Sequence, residues 1–233
     1  MKMIKPDPNI KGLTWKQLRQ KCKRESDYII TLFITNELSL ALTWLLTKTM
    51  ITPNRITLAS ISCEFICALF YASGYFLIGS IFYFFAHVLD CTDGNLARAK
   101  EIFSPFGRWF DFIGDRIGEV VIFLGISIYF YQTDASSVWI TLTLLASVLI
   151  LLYYYIVDIG LSLGISPPKQ KLTSKKFKGV HLKWGLYEPI MYGLIILAPL
   201  GLIKYQLVII FILVLSGLVY QTYKSFRLYK AIE

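Results

Sequence analysis

Residues 76–115 read FLIGSIFYFFAHVLDCTDGNLARAKEIFSPFGRWFDFIGD. From Phe76 to Leu89 the run is apolar apart from Ser80 and His87. Four aspartates, Asp90, Asp93, Asp111 and Asp115, then arrive in stretches that still read as helix, on either side of a Ser104-Pro105 break. About 20 apolar residues cross a bilayer, so this stretch predicts two spanning helices, 76–97 and 106–131. Runs of similar length lie at 54–74, 137–163, 185–203 and 205–228. The breaks between them are short and turn-like: Ala72-Ser73-Gly74, Thr133-Asp134-Ala135-Ser136 and Pro199-Leu200-Gly201. The expected fold is therefore all-α and integral to the membrane, with six transmembrane helices preceded by an N-terminal interfacial amphipathic helix. Residues 1–50 form the cytosolic N-terminus and interfacial helix, and residues 51–233 the six-helix transmembrane domain.

Composition agrees. Of 233 residues, 55% are hydrophobic, and the net charge is +9 from 24 Lys+Arg against 15 Asp+Glu. The mean hydropathy is +0.56. Disordered and fibrous classes are excluded, and a basic excess on a hydrophobic chain suits acidic lipid. A nucleic-acid-binding domain would not carry such apolar runs, so no nucleic-acid partner is expected. The four cysteines, Cys22, Cys63, Cys67 and Cys91, form no CxxC pair, which argues against a disulfide or zinc framework. The first 25 residues hold eight Lys or Arg and no apolar core, so no cleavable signal peptide is expected.

Segment 28–47 is apolar but carries Asn36 and Glu37 at its middle, and Thr31, Thr35, Ser39, Thr43 and Thr47 recur every fourth residue. That polar stripe suits a helix lying in the interface. Charge placement agrees. Six spans put both termini on one side, and that side receives 23 of the 24 Lys and Arg, leaving only Lys204 opposite. The termini, the 98–106 loop and the basic 164–184 loop are thus expected in the cytoplasm.

Charged groups near a bilayer core are costly, about 2.5–3.5 kcal/mol each at a helix centre. Four carboxylates gathered together also repel, and Arg98, Arg108 and Arg116 are not placed to cancel them all. Divalent cations, Mg²⁺ or Mn²⁺, prefer such oxygen ligands. Asp90 and Asp93 share one face of their helix, and Gly107, Asp111 and Asp115 share one face of the next. Two metals between four carboxylates would clamp a diphosphate. Gly94 and Gly107 leave room for a ligand to approach the backbone, and Arg98 lies one turn beyond Gly94.

Residues 90–115 fit D-x2-D-G-x2-A-R-x8-G-x3-D-x3-D at Asp90, Asp93, Gly94, Ala97, Arg98, Gly107, Asp111 and Asp115. This resembles the signature of the CDP-alcohol phosphotransferase family, also called CDP-alcohol phosphatidyltransferases, with every position filled. The resemblance extends to about residues 28–230 and includes the Thr52-Pro53-Asn54 entry into the first span. It implies a metal-dependent enzyme of phospholipid biosynthesis that moves a substituted phosphate from a CDP-linked alcohol to a second alcohol and releases CMP. By the same resemblance Asp90, Asp93 and Asp111 hold metal, and Asp115, also near the second metal, is the catalytic base. Asp93, Gly94, Ala97, Arg98 and Gly107 surround the cytidine diphosphate. A homodimer is implied as well.

The favoured donor is a CDP-lipid, CDP-diacylglycerol or CDP-archaeol. The favoured acceptor is a small polar alcohol such as inositol phosphate or glycerol phosphate. The alternative is a CDP-choline or CDP-ethanolamine phosphotransferase acting on diacylglycerol. An intramembrane prenyltransferase fits less well, because both aspartate groups fall within 26 residues. An ion transporter would spread its carboxylates across depth. Glu64, Glu119, Asp158 and Glu188 are further acids in or beside spans; Asp158 and Glu188 lie at a depth suited to reading the acceptor. His87 is expected to hydrogen-bond near Asp90 rather than bind metal. Arg108 and Arg116 are expected to be structural, and Tyr153–Tyr155 to anchor at the interface.

Overall fold

A computed structural model of the chain describes residues 13–134, 137–164, 180–183 and 185–230. Eight α-helices run in chain order among them: α1 (Trp15–Lys21), α2 (Asn36–Thr47), α3 (Pro53–Ala72), α4 (Phe76–Lys100), α5 (Pro105–Thr133), α6 (Ser137–Ser162), α7 (Tyr187–Leu197) and α8 (Ile203–Lys230). A π-helical turn, Thr31–Thr35, leads directly into α2. Local chemistry sets several of these boundaries. Pro53 and Pro105 each open a helix, where a missing N–H costs nothing. Ser104 caps α5 by accepting from the Gly107 amide at 2.8 Å.

Four of these helices are long and apolar enough to cross a membrane: α3, α4, α6 and α8. The segment expected as the third span forms α5, with 29 residues, but it is not among these four, and its first turns carry Asp111, Asp115, Arg116 and Glu119. The expected fifth span is only the 11-residue α7. At 1.5 Å per residue it rises about 16 Å, half the hydrocarbon thickness.

Two further features depart from the sequence reading. The chain is not wholly α-helical: β1 (Ser26–Tyr28) pairs in parallel with β2 (His181–Lys183), with Asp27 opposite Leu182. Three-residue strands leave almost no alternation to detect. The polar stripe of 28–47 also faces inward, not toward water. Thr31, Thr35, Ser39, Thr43 and Thr47 are all buried, while Phe33, Ile34, Leu38 and Leu45 are exposed. The stripe packs on α4, where Ser39 Oγ accepts from Asn95 Nδ2 at 2.7 Å. With lipid outside, the polar side of a helix belongs against protein.

The main core joins α3 to α8 through residues such as Tyr71, Phe123, Ile126, Ile150, Leu194 and Ile210. A smaller core of Leu18, Cys22, Leu40 and Ala99 seats α1 and α2 on the end of α4. α3 packs along both α4 and α5, which touch one another little. A seam of glycines admits it. A Cβ at Gly125 would stand 2.4 Å from the Ala68 carbonyl oxygen, and one at Gly118 would overlap the Glu64 carboxylate. Lys100 Nζ donates to the Thr49 and Ile51 carbonyls at 2.8 Å each, fixing the α2–α3 link to the end of α4. All four cysteines are free thiols. The basic 164–184 loop falls outside the described residues except for Gly164 and residues 180–183.

Candidate active site

The signature's two halves lie on α4 and α5, and α3 holds both. Carboxylate oxygens of Asp90, Asp93 and Asp111 lie within 4.8 Å of one another. The Thr57 hydroxyl of α3 donates to Asp93 Oδ2 and fixes that carboxylate. Three hard oxygen donors converging at this range fit a divalent cation, and Asp93 keeps one oxygen clear of Thr57. Asp115 lies one turn beyond Asp111 and outside this group. Its side chain is 45% exposed, and Arg116 stands 3.8 Å from it. A half-exposed carboxylate beside the cluster is suited to accept a proton.

His87 stands one turn before Asp90, with Nδ1 3.9 Å from Asp90 Oδ2. Its two nitrogens face hydroxyls, Tyr187 at 3.1 Å and Thr31 at 3.3 Å. His87, Asp90 and Cys91 also lie close enough to share an ion. The hydroxyls on both ring nitrogens favour the hydrogen-bonding role expected from sequence.

On the neighbouring face of α4, the Arg98 guanidinium folds back over Gly94, whose Cβ would meet Nη1 at 3.4 Å. Arg98 Nη2 donates to Asn95 Oδ1 at 2.6 Å. Ala97 is half-buried on the same helix. Gly107 admits α3 as well as any ligand: a Cβ there would lie 2.9 Å from Asn54 Oδ1.

Several residues take structural places. Arg116 donates to Glu119 Oε2 at 2.6 Å and sits 3.7 Å from the Tyr154 ring centroid. Tyr154 is thus a partner for Arg116, while Tyr155 is exposed. Glu188 is buried and accepts from the Thr31 amide at 2.7 Å, holding the π-helical turn to α7. Asp158 is half-buried on α6.

Sequence reading missed Arg24. It lies in the link between α1 and β1, pairs with Asp27 Oδ2 at 3.5 Å, and hydrogen-bonds the Cys91 side chain of α4. Burial opposes its charge, but Cys91, Asp27 and Asp90 outweigh burial and raise its pKa. Distance in sequence from the signature, 66 positions to Asp90, left nothing local to mark it.

No curated protein sequence matches the chain. Its fold is similar to that of phosphatidylinositol phosphate synthase from Mycobacterium tuberculosis, at 17% identity. The structure with CDP-DAG bound gives a TM-score of 0.64, covering 82% of this chain and 93% of that one. The complex with manganese and citrate gives 0.63, covering 83% and 89%. A profile described as CDP-alcohol phosphatidyltransferase matches residues 50–222. That match takes in the aspartate cluster together with the helices that hold it, and the chain belongs to the CDP-alcohol phosphatidyltransferase family.

Proposed function

We propose that this membrane enzyme transfers the lipid-bearing phosphate of CDP-diacylglycerol, or of its ether analogue CDP-archaeol, to the hydroxyl of a phosphorylated polyol, inositol phosphate or glycerol phosphate. The observation that carries this reading is the meeting of Asp90, Asp93 and Asp111 within 4.8 Å inside a complete signature. The M. tuberculosis synthase, crystallised with CDP-DAG and with manganese, supports a CDP-lipid donor and a divalent metal here. Two cations, Mg²⁺ or Mn²⁺, would be held by Asp90, Asp93, Asp111 and, at the second position, Asp115. Bound there, they supply charge neutralisation for the diphosphate.

The chain's own residues do the rest. Gly94, Ala97 and Arg98 line the face of α4 on which the cytidine diphosphate lies, with Gly107 closing it from α5. Asp115 takes the proton of the attacking hydroxyl. A new O–P bond forms at the lipid-bearing phosphorus as the pyrophosphate P–O bond breaks, and CMP leaves with that electron pair. Holding the two substrates in one orientation lowers the entropic part of the barrier. The wider reading includes six spans, with α5 and residues 185–203 around α7 completing the bundle and residues 1–50 as an interfacial unit seated on the end of α4. The site and both termini face the cytoplasm, and the enzyme works as a homodimer.

CMP release by the purified protein tests the reaction. Mg²⁺ or Mn²⁺ and CDP-diacylglycerol are supplied with inositol phosphate, glycerol phosphate, inositol or serine in turn. Release that depends on a phosphorylated acceptor is expected. Silence with all four, together with turnover of CDP-choline and diacylglycerol, would reverse the polarity of the reaction.

A further inference from the structure

Arg24 and Arg98 approach the same face of α4, one from the link after α1 and one from the helix itself. Each lies in the other's field, and like charges there repel. Their partners are few. Arg24 has the long contact to Asp27 and the Cys91 thiol, and Arg98 has the uncharged Asn95. Among the described residues, the Nε atoms of both, like that of Arg116, are buried without a hydrogen-bond partner. A buried guanidinium N–H without a partner is costly. Arg116 pairs closely with Glu119 at 2.6 Å, whereas Arg24 meets Asp27 at 3.5 Å, which leaves Arg24 suited to a ligand that is acceptor-only and anionic.

Arg24 also lines a cavity of about 390 Å³ between α1, α2 and the strand pair. Lys16, Arg19, Lys23 and Arg24 contribute its positive charge, and Asp27 and Glu37 its negative charge. Glu37 is occupied by Arg19. The excess is positive and continues inward through Arg24 to Cys91, next to Asp90. This volume suits a small polar molecule rather than a lipid chain.

We propose that Arg24 binds the phosphate monoester of the acceptor, and that the basic cavity is where the acceptor is seated. This rests on the phosphorylated-acceptor reading above and names the residue that reads it. Arg24 lies outside residues 50–222, the part that the family profile matches. A guanidinium fork offers two parallel N–H groups to a phosphate, which a lysine cannot reproduce.

The test compares wild type, Arg24→Gln and Arg24→Lys as full-length protein in detergent. Thermal unfolding is followed with glycerol phosphate, inositol phosphate or CMP, each with Mn²⁺, and KM is measured for acceptor and donor separately. In Arg24→Gln the acceptor KM rises at least tenfold and protection by both phosphate esters is lost. The KM for CDP-diacylglycerol and protection by CMP stay within twofold. Arg24→Lys falls between, and it carries the test if the Gln variant is not recovered folded. An unchanged acceptor KM in both variants overturns the proposal, as does an equal loss of CMP protection, which would put Arg24 on the donor's phosphate. Wild type that prefers unphosphorylated inositol or serine, and gains no protection from either ester, overturns the acceptor reading itself before any variant is made.

Discussion

Asp111 and Asp115 stand one helical turn apart and keep different company. Asp111 meets Asp90 and Asp93, whereas Asp115 looks past them toward Arg116. If Asp115 is the base, Asp115→Asn removes proton transfer but leaves the three-carboxylate group intact. Acid–base catalysis contributes about 10²–10⁴-fold, so CMP release should fall by about that factor. Mn²⁺-dependent thermal protection by CMP should persist. Unchanged turnover would remove Asp115 from the role. At Cys22, burial pushes the thiol from its ordinary value up to about 11, and the thiol donates to the Asn95 carbonyl at 3.3 Å. The neutral form is the one folding favours, so its contribution is complete below pH 9 and is lost as pH climbs toward 11. At pH 8, alkylation of Cys22 followed by peptide mass spectrometry should run about two-hundredfold slower than for a free thiol of pKa about 8.5. Labelling at the free-thiol rate would mean that α1 detaches from α4.

Among the helices, the α3–α5 contact depends on glycines, and two of them make graded predictions. A Cβ at Gly125 meets backbone, the Ala68 carbonyl at 2.4 Å, which cannot yield unless the helices part. A Cβ at Gly118 meets the Glu64 carboxylate, the far end of a flexible side chain. Overpacking costs about 1–3 kcal/mol, against a helix-propensity gain of about 1 kcal/mol for Gly→Ala. Gly125→Ala should therefore lower the Tm in detergent, and Gly118→Ala should lower it less. The reverse order would mean that Glu64 is held more rigidly than the backbone of α3. This seam also shows what the sequence could disclose. Span-length apolar runs and the signature spacing are local, so the helices and the aspartates were readable along the chain. The stripe from Thr31 to Thr47 was visible too, but a polar stripe means water in one solvent and protein in the other. Which side it faced depended on the partner, α4, and not on the stripe. Arg24, the Glu188 contact to Thr31 and the β1–β2 pairing all join segments far apart in sequence, where periodicity carries no information.

At the scale of the whole molecule, charge is divided between two ends. The α4–α5 turn, the end of α2 and the N-terminal segment share one end with the aspartates, tied there by Lys100 to Thr49 and Ile51 and by Lys21 to Glu101 at 2.7 Å. The α5–α6 and α7–α8 turns lie at the other. Lys204, the lone basic residue expected there, is paired with Asp134. Between the ends the surface is apolar, with Leu69, Ile81, Val148 and Leu215 exposed along four different helices. Such a belt has no place in water, and the charge rule makes the cytoplasmic side the expectation for the basic end. Sidedness can be read directly in a variant with its four native cysteines replaced. A cysteine placed at Leu200, which is exposed in the α7–α8 turn, should react with a membrane-impermeant maleimide on intact cells. One placed at Glu101, exposed at the end of α4, should react only after the cells are opened. The opposite pattern would place the aspartates outside, away from the compartment in which CDP-linked substrates are made, and would leave the basic excess on the wrong side of the membrane for its charge.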